Sequence, residues 1–565
     1  MRLFFASTFL AFALLLTPAI LGAQDNPAAN QSPEKSGFPK TVIHVVQGDI
    51  AGIPAQPYSS ILAFKGIPYA APPVGDLRWR EPQPPVSWNG VRDATQYGAI
   101  CSQADSFLHL PRNLMSEDCL TLNIWTPSLK PIQAAPVMVY IHGGGFVLGT
   151  SNGSPLNGIG LATRGAVVVT INYRLGVFGF LAHPDLTRES PHHASGNYGL
   201  MDQIAALRWV RQNIAAFGGD ARNITVFGES AGATSIGYLL VSPLATGVGG
   251  PGPAFDKAIL ESPSDLFTPD PELHNTYRGL TSMEEVGSAI SPTIAELRQL
   301  PADEVISRAS AATNKLFGPG GTGHARLRPE GHTQMPMVID TPWWAFADGY
   351  VVPDQHARLF TENRGLHIPA MVGTNADEGV GFVGSLPAKN AQEWDSYVQQ
   401  TFAPCGKRVL DLYSAATRDE IHTQANRLIT DALFLYGAFA TARAEHAFLY
   451  RFSRVGPENA KDKLGAHHTA ELDYIFGITR ERPESYDSAD HRLSDKMMTA
   501  WLHFARTGDP RLMESSEWTR IGSNGEAPYM DFGDTLVIKD LPDTTFRVFE
   551  QLWPPSGKAS TCTAN

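Results

Sequence analysis

The sequence predicts an α/β fold: a large, mostly parallel central sheet flanked by helices, with helical insertions forming a cap. Three observations carry this. Apolar runs of strand length at 136–141, 166–172, 224–227 and 258–261 lack a polar face, as strands covered on both sides do. Helical spacing separates them, most clearly where Leu207, Val210, Ile214 and Phe217 recur. Glycine-rich turns follow two of the strands, and sheets of this class bind ligands beyond the strand carboxyl ends.

The elements follow in order. Arg2, the apolar run from Leu3 to Leu16 and the small residues Leu21-Gly22-Ala23 have the pattern of a signal peptide over 1–23. The run is too short to span a bilayer, so the chain is expected to be secreted or periplasmic. Residues 24–40 are rich in Asn, Pro, Ser and Gly and predict a linker, leaving 41–565 as a single domain. No later segment is long and apolar enough to cross a membrane. The net charge of −12, with no basic stripe, argues against nucleic acid or anionic membrane surfaces as partners.

Val42 to Val46 and Ile61 to Phe64 predict short edge strands. The prolines in Phe64-Lys65-Gly66-Ile67-Pro68-Tyr69-Ala70 and in Leu77-Arg78-Trp79-Arg80-Glu81-Pro82 predict ordered coil. Cys101 and Cys119 bracket a polar loop and are expected to pair, with Cys405 and Cys562 as a second bridge. Four cysteines in an exported chain suggest disulfides; none has zinc-site spacing. Ser116-Glu117-Asp118-Cys119-Leu120 leads into a strand reaching Trp125.

The strand over 136–141 ends in His142-Gly143-Gly144-Gly145-Phe146. Three glycines there let backbone N–H groups turn inward, which an oxyanion hole requires. A helix opens at Asn197-Tyr198-Gly199 and stops at Gly218-Gly219-Asp220. The next strand, Ile224 to Phe227, stops at Gly228, and the helix from Ala233 to Leu240 follows. Between them lies Gly228-Glu229-Ser230-Ala231-Gly232, a G-x-S-x-G in the strand, sharp turn, helix context of a nucleophile elbow.

Ala258 to Glu261 predicts a strand ending in Ser262-Pro263-Ser264. Residues 265–335 are expected to form a cap, with helical spacing from Ile294 to Ala309. Its later part carries His324, Arg326, Arg328 and His332, an anion-favouring cluster or a solvated loop. Leu366 to Gly373 predicts a strand, followed by Asp377-Glu378-Gly379. Ala447 to Phe452 predicts another, and His467-His468-Thr469-Ala470-Glu471 comes after it. Asp495 to Thr507 predicts a closing helix.

A serine hydroxyl is a poor nucleophile without a base, and a histidine base needs a carboxylate to fix its tautomer. In elbow-bearing folds the chain order is serine, acid, histidine. Ser230, Glu378 and either His467 or His468 satisfy that order.

From about residue 40 to 550 the chain resembles the type-B carboxylesterase family, which includes the cholinesterases and has the α/β-hydrolase fold. The matching pieces are Phe64 to Ala70, Ser116 to Leu120, His142 to Phe146, Gly228 to Gly232, Asp377-Glu378-Gly379 and His468 to Gly477. The resemblance implies a serine esterase with Ser230 as nucleophile, Glu378 as acid and His468 as base, three residues before Glu471. It implies Gly144, Gly145 and Ala231 as backbone oxyanion donors, polar supporting positions at Glu229, Ser262 and Glu471, and the Cys101–Cys119 pair. It calls for no metal or organic cofactor and for a small-molecule ester as partner.

Two departures bear on specificity. Cholinesterases carry a tryptophan in the first disulfide loop that stacks on choline, and residues 101–119 hold none. Trp343 and Trp344 precede a stretch, Phe346 to Pro353, that is similar to the family's acyl-side segment; they shape an acyl pocket or pack the core. Rival readings are a lipase for long acyl chains and a non-catalytic adhesion protein on the same fold.

Overall fold

The computed structural model describes residues 39–106, 108–153, 156–247, 252–278, 280–317, 342–386, 388–522, 527–541, 543–554 and 562. The expected signal peptide, nearly all of the linker and the His324, Arg326, Arg328, His332 cluster lie outside the described residues.

The apolar runs do form the centre of a mostly parallel sheet. Its parallel strands stand in the order Val167–Ile171, Ala135–Ile141, Gly219–Glu229, Lys257–Glu261, Ala370–Asn375, Phe448–Phe452, Pro528–Phe532. Antiparallel strands flank them: Thr121–Thr126, Leu62–Pro68, Gly48–Pro54 and Thr41–Val45 on one side, Leu536–Asp540 on the other. Side chains alternate between two apolar layers. Val137, Val139, Val226 and Leu260 enter one core; Met138, Tyr140, Phe227 and Ile259 enter the other. Both faces are covered, which is why these strands read as unbroken apolar runs.

Several boundaries differ from the sequence expectation. Phe64 to Pro68 is strand, not coil: it pairs antiparallel with Thr121–Thr126 through a register shift between Phe64 and Ile67. Gly66 at φ 64° makes that irregularity possible, and Pro68 sits at the strand end, where a missing N–H costs little. The elbow strand runs on through Gly228 to Glu229. The helical spacing over 294–309 splits into helices Ile294–Arg298 and Ala302–Phe317, because Pro301 interrupts it. The long helix Ser488–Thr507 does not close the chain; two strands and the helix Asp543–Leu552 follow.

Two disulfides, Cys101–Cys119 and Cys405–Cys562, staple the surface loops as expected. Arg78 ties the cap to the body: its guanidinium pairs with Glu117 and donates to the Leu297 and Leu300 carbonyls, each at 2.8 Å. Among the described residues no helix is long and apolar enough to cross a membrane.

Candidate active site

Ser230 sits at the N-terminus of the helix Ala231–Val241 with φ 56° and ψ −124°, a conformation that side chains rarely adopt. The flanking glycines make room for it. A Cβ at Gly228 would lie 2.6 Å from the Ile141 carbonyl oxygen, and one at Gly232 would clash with the same atom. The Ser230 N–H donates to the Glu261 carbonyl at 2.9 Å, pinning the turn to the neighbouring strand. The glycine loop presses against this turn: a Cβ at Gly143 would approach the Ser230 Cβ to 3.0 Å.

Gly144, Gly145 and Phe146 all have positive φ, so the loop reverses sharply after its strand. Among the described residues the N–H groups of Gly144, Gly145 and Ala231 donate to no protein acceptor. The loop is held from behind. Gln103, in the first disulfide loop, exchanges two hydrogen bonds with the Gly149 backbone, each 2.9 Å. The Tyr173 hydroxyl donates to the His142 carbonyl at 3.0 Å, and the two rings stack at 4.6 Å. Burial pulls His142 down to about 4 and keeps it neutral.

The two-histidine ambiguity resolves geometrically. His468 Nδ1 donates to Glu378 Oε2 at 2.7 Å, and Glu378 Oε1 accepts the Asn375 N–H at 2.6 Å. His467 instead uses its backbone, accepting from Asn375 Nδ2 at 2.8 Å and bridging to Asp377. His468 Nε2 points back to the elbow and stands 3.1 Å from Glu229 Oε1. Among the described residues it makes no hydrogen bond to Ser230. Free enzymes commonly hold such pairs long, and they tighten when substrate binds.

The surroundings are unusually acidic. Glu229, Glu261, Glu378 and Glu471 are all buried. Burial pulls His468 down, but Glu229 and Glu378 outweigh it and raise the imidazole to about 9. Burial raises the Glu229 and Glu471 carboxyls; Glu378 adds to both by like-charge repulsion, Glu229 adds to Glu471, and His468 opposes both shifts. Glu471 accepts from Asn375 Nδ2. The Ser262 N–H bonds the Gly373 carbonyl at 2.8 Å and its hydroxyl is buried.

Sequence reasoning missed the rings around the histidine. Phe434 lies 4.9 Å and Phe382 5.8 Å from the His468 ring. Phe434 rides on a π-helical turn, Thr430–Leu435, a distortion often found at functional sites. Its only sequence signal is an aromatic in an apolar run, which also describes a core residue. Phe382 is four residues past Glu378, a spacing that could have found it. Trp344 packs edge-on against Phe146 at 4.7 Å, directly after the glycine loop, while both Trp343 and Trp344 are buried.

The described residues include no cluster of His, Cys, Asp and Glu able to hold a metal ion. The profile of the carboxylesterase family matches residues 39–547. This chain belongs to the carboxylesterase family. It is 36% identical over 532 residues to the fumonisin B1 esterase of Sphingopyxis macrogoltabida, covering 92% of this chain and 90% of that protein. It is also 36% identical over 511 residues to the para-nitrobenzyl esterase of Bacillus subtilis, covering 88% and 95%. A solved PNB esterase structure superposes with a TM-score of 0.73 at 30% identity, covering 90% of this chain and 98% of that one. The fold is therefore that of these α/β-hydrolases, and the protein is a carboxylic ester hydrolase.

Proposed function

We propose that the protein is a serine carboxylesterase working through a Ser230–His468–Glu378 triad and an acyl-enzyme. The observation that carries this is the meeting of two arms. A strained serine abuts the glycine loop, and His468, bonded to Glu378, aims its other nitrogen at the residue before that serine.

In this mechanism Ser230 Oγ attacks the ester carbonyl while His468 Nε2 takes its proton. Glu378 holds Nδ1–H, so Nε2 is the free base, and it offsets the imidazolium charge. Negative charge develops on the carbonyl oxygen, and the N–H groups of Gly144, Gly145 and Ala231 are the donors for it; one such donor contributes about 3 kcal/mol. The tetrahedral intermediate collapses, His468 protonates the leaving alcohol, and water then releases the acid by the same route. Trp344 and Phe146 wall the acyl side next to the glycine loop.

The N-terminal apolar segment and the two disulfides support export, and the family match over 39–547 supports one catalytic domain. Hydrolysis of p-nitrophenyl esters from acetate to palmitate tests the reading. Short and medium chains are expected to be favoured. Ser230→Ala is expected to lower kcat by about 10⁵-fold on every chain. A preference for the longest chains would make the protein a lipase. Unchanged turnover in Ser230→Ala would sink the triad.

A further inference from the structure

The parallel register sets four residues side by side at the carboxyl end of the sheet. Glu229 opposes Glu261, Glu261 opposes Gly373, and Gly373 opposes Tyr450. Partners on adjacent strands face the same side, here the side packed on the helix Ser488–Thr507. A Cβ at Gly373 would clash with the Tyr450 ring, so that ring fills the space over Gly373, beside Glu261.

Glu261 is fully buried and stands outside the triad. Its Oε1 accepts the Trp501 indole N–H at 2.6 Å, which uses Trp501's one side-chain donor. Its Oε2 is buried, and no described donor reaches it. Glu471 Oε1 is buried and equally without a described donor, whereas Glu229 Oε1 faces His468 Nε2 at 3.1 Å. The titratable groups that act on Glu261 or are acted on by it are Glu229, Glu471, Tyr140 and Tyr450. No cation is among them. An ionised carboxylate in that setting is strongly disfavoured, and burial raises Glu261 well above the ordinary carboxylate range. Glu261 Oε2 and Glu471 Oε1, two acceptor-only oxygens without described donors, satisfy each other once one of them carries a proton.

We propose that Glu261 is a positioning residue for the ester hydrolysis: it remains a neutral acid whose Oε2–H is donated to the Glu471–Glu229 pair, keeping negative charge on that pair beside His468. The inference rests on the reading of His468 as general base. His468 itself feels Glu229, Glu378 and Glu471, and lies beside His467. Charge on the pair stabilises the imidazolium formed during attack and holds the resting His468 basicity up.

Glu261→Met keeps the volume and removes both the donor and the Trp501 acceptor; Glu261→Gln keeps an acceptor and a permanent donor. In Glu261→Met the pair gains a proton more readily, so His468 loses a negative neighbour. The acid limb of kcat/KM then moves down by about one pH unit. Glu261→Gln is expected to restore the wild-type limb. A limb shifted equally in both variants would mean that Glu261 is ionised, and a limb unmoved in both would mean that it only packs; either overturns the proposal. A second readout needs neither activity nor a stable Met variant. The infrared difference between wild type and Glu261→Gln at neutral pH should show the C=O band of a protonated carboxylic acid. Its absence overturns the proposal even in an active esterase. Its presence in a chain that cleaves no ester supports the proton assignment while the catalytic reading fails.

Discussion

The two arms of the site are built by different physics. The serine arm is conformational: five consecutive residues, two of them glycines with no room for a methyl group, force Ser230 into a strained turn against Ile141. The histidine arm is electrostatic: His468 is held by Glu378, 90 residues away, inside a pocket with Glu229 and Glu471. Damage to the first arm should appear in folding, and damage to the second in protonation.

The contrast is sharpest at Glu378. In Glu378→Gln the amide still accepts the Asn375 N–H, but its NH₂ faces His468 Nδ1 and places the ring proton on Nε2. The base is lost, and kcat is expected to fall about 10⁴-fold with p-nitrophenyl butyrate as substrate. An unfolding midpoint near wild type would confirm that the loss is electronic.

Gly232→Ala should do the reverse. The added methyl collides with the Ile141 carbonyl, and the strain should cost about 3 kcal/mol of unfolding free energy in urea. A fully stable Gly232→Ala would break the claim that the serine arm is set by steric exclusion.

Glu229→Gln probes where the arms touch. It removes one of the carboxylates that raise His468. The folded base then titrates lower, so the neutral form survives to more acid pH. The acid limb of kcat/KM should move down, and the plateau should fall about 10-fold as imidazolium loses support. An upward shift would contradict the assignment of charge to Glu229.

Much of this is legible in the sequence. The strand, turn, helix pattern around Ser230 and the glycines of the loop are local signals, and the structure has that strand, turn and helix and that sharp loop; the chain order of Ser230, Glu378 and histidine is a long-range pattern. The prolines of Phe64 to Ala70 suggest coil, but Gly66 and the end position of Pro68 let the stretch remain in the sheet. Phe434 and Glu261 were invisible for another reason. A phenylalanine in an apolar run and a glutamate at a strand end look the same whatever the fold brings across from them.

The sequence by itself determined the sheet, the elbow and the family, because backbone strain and alternating burial are written in neighbouring residues. The residues alone leave His467 and His468 open and the resemblance points to His468; only the tertiary structure shows its Nδ1 meeting Glu378 while Glu229 and Glu471 act on the same ring. Charge in a low-dielectric interior depends on which distant groups are brought within a few ångströms, and separation along the chain carries no record of that.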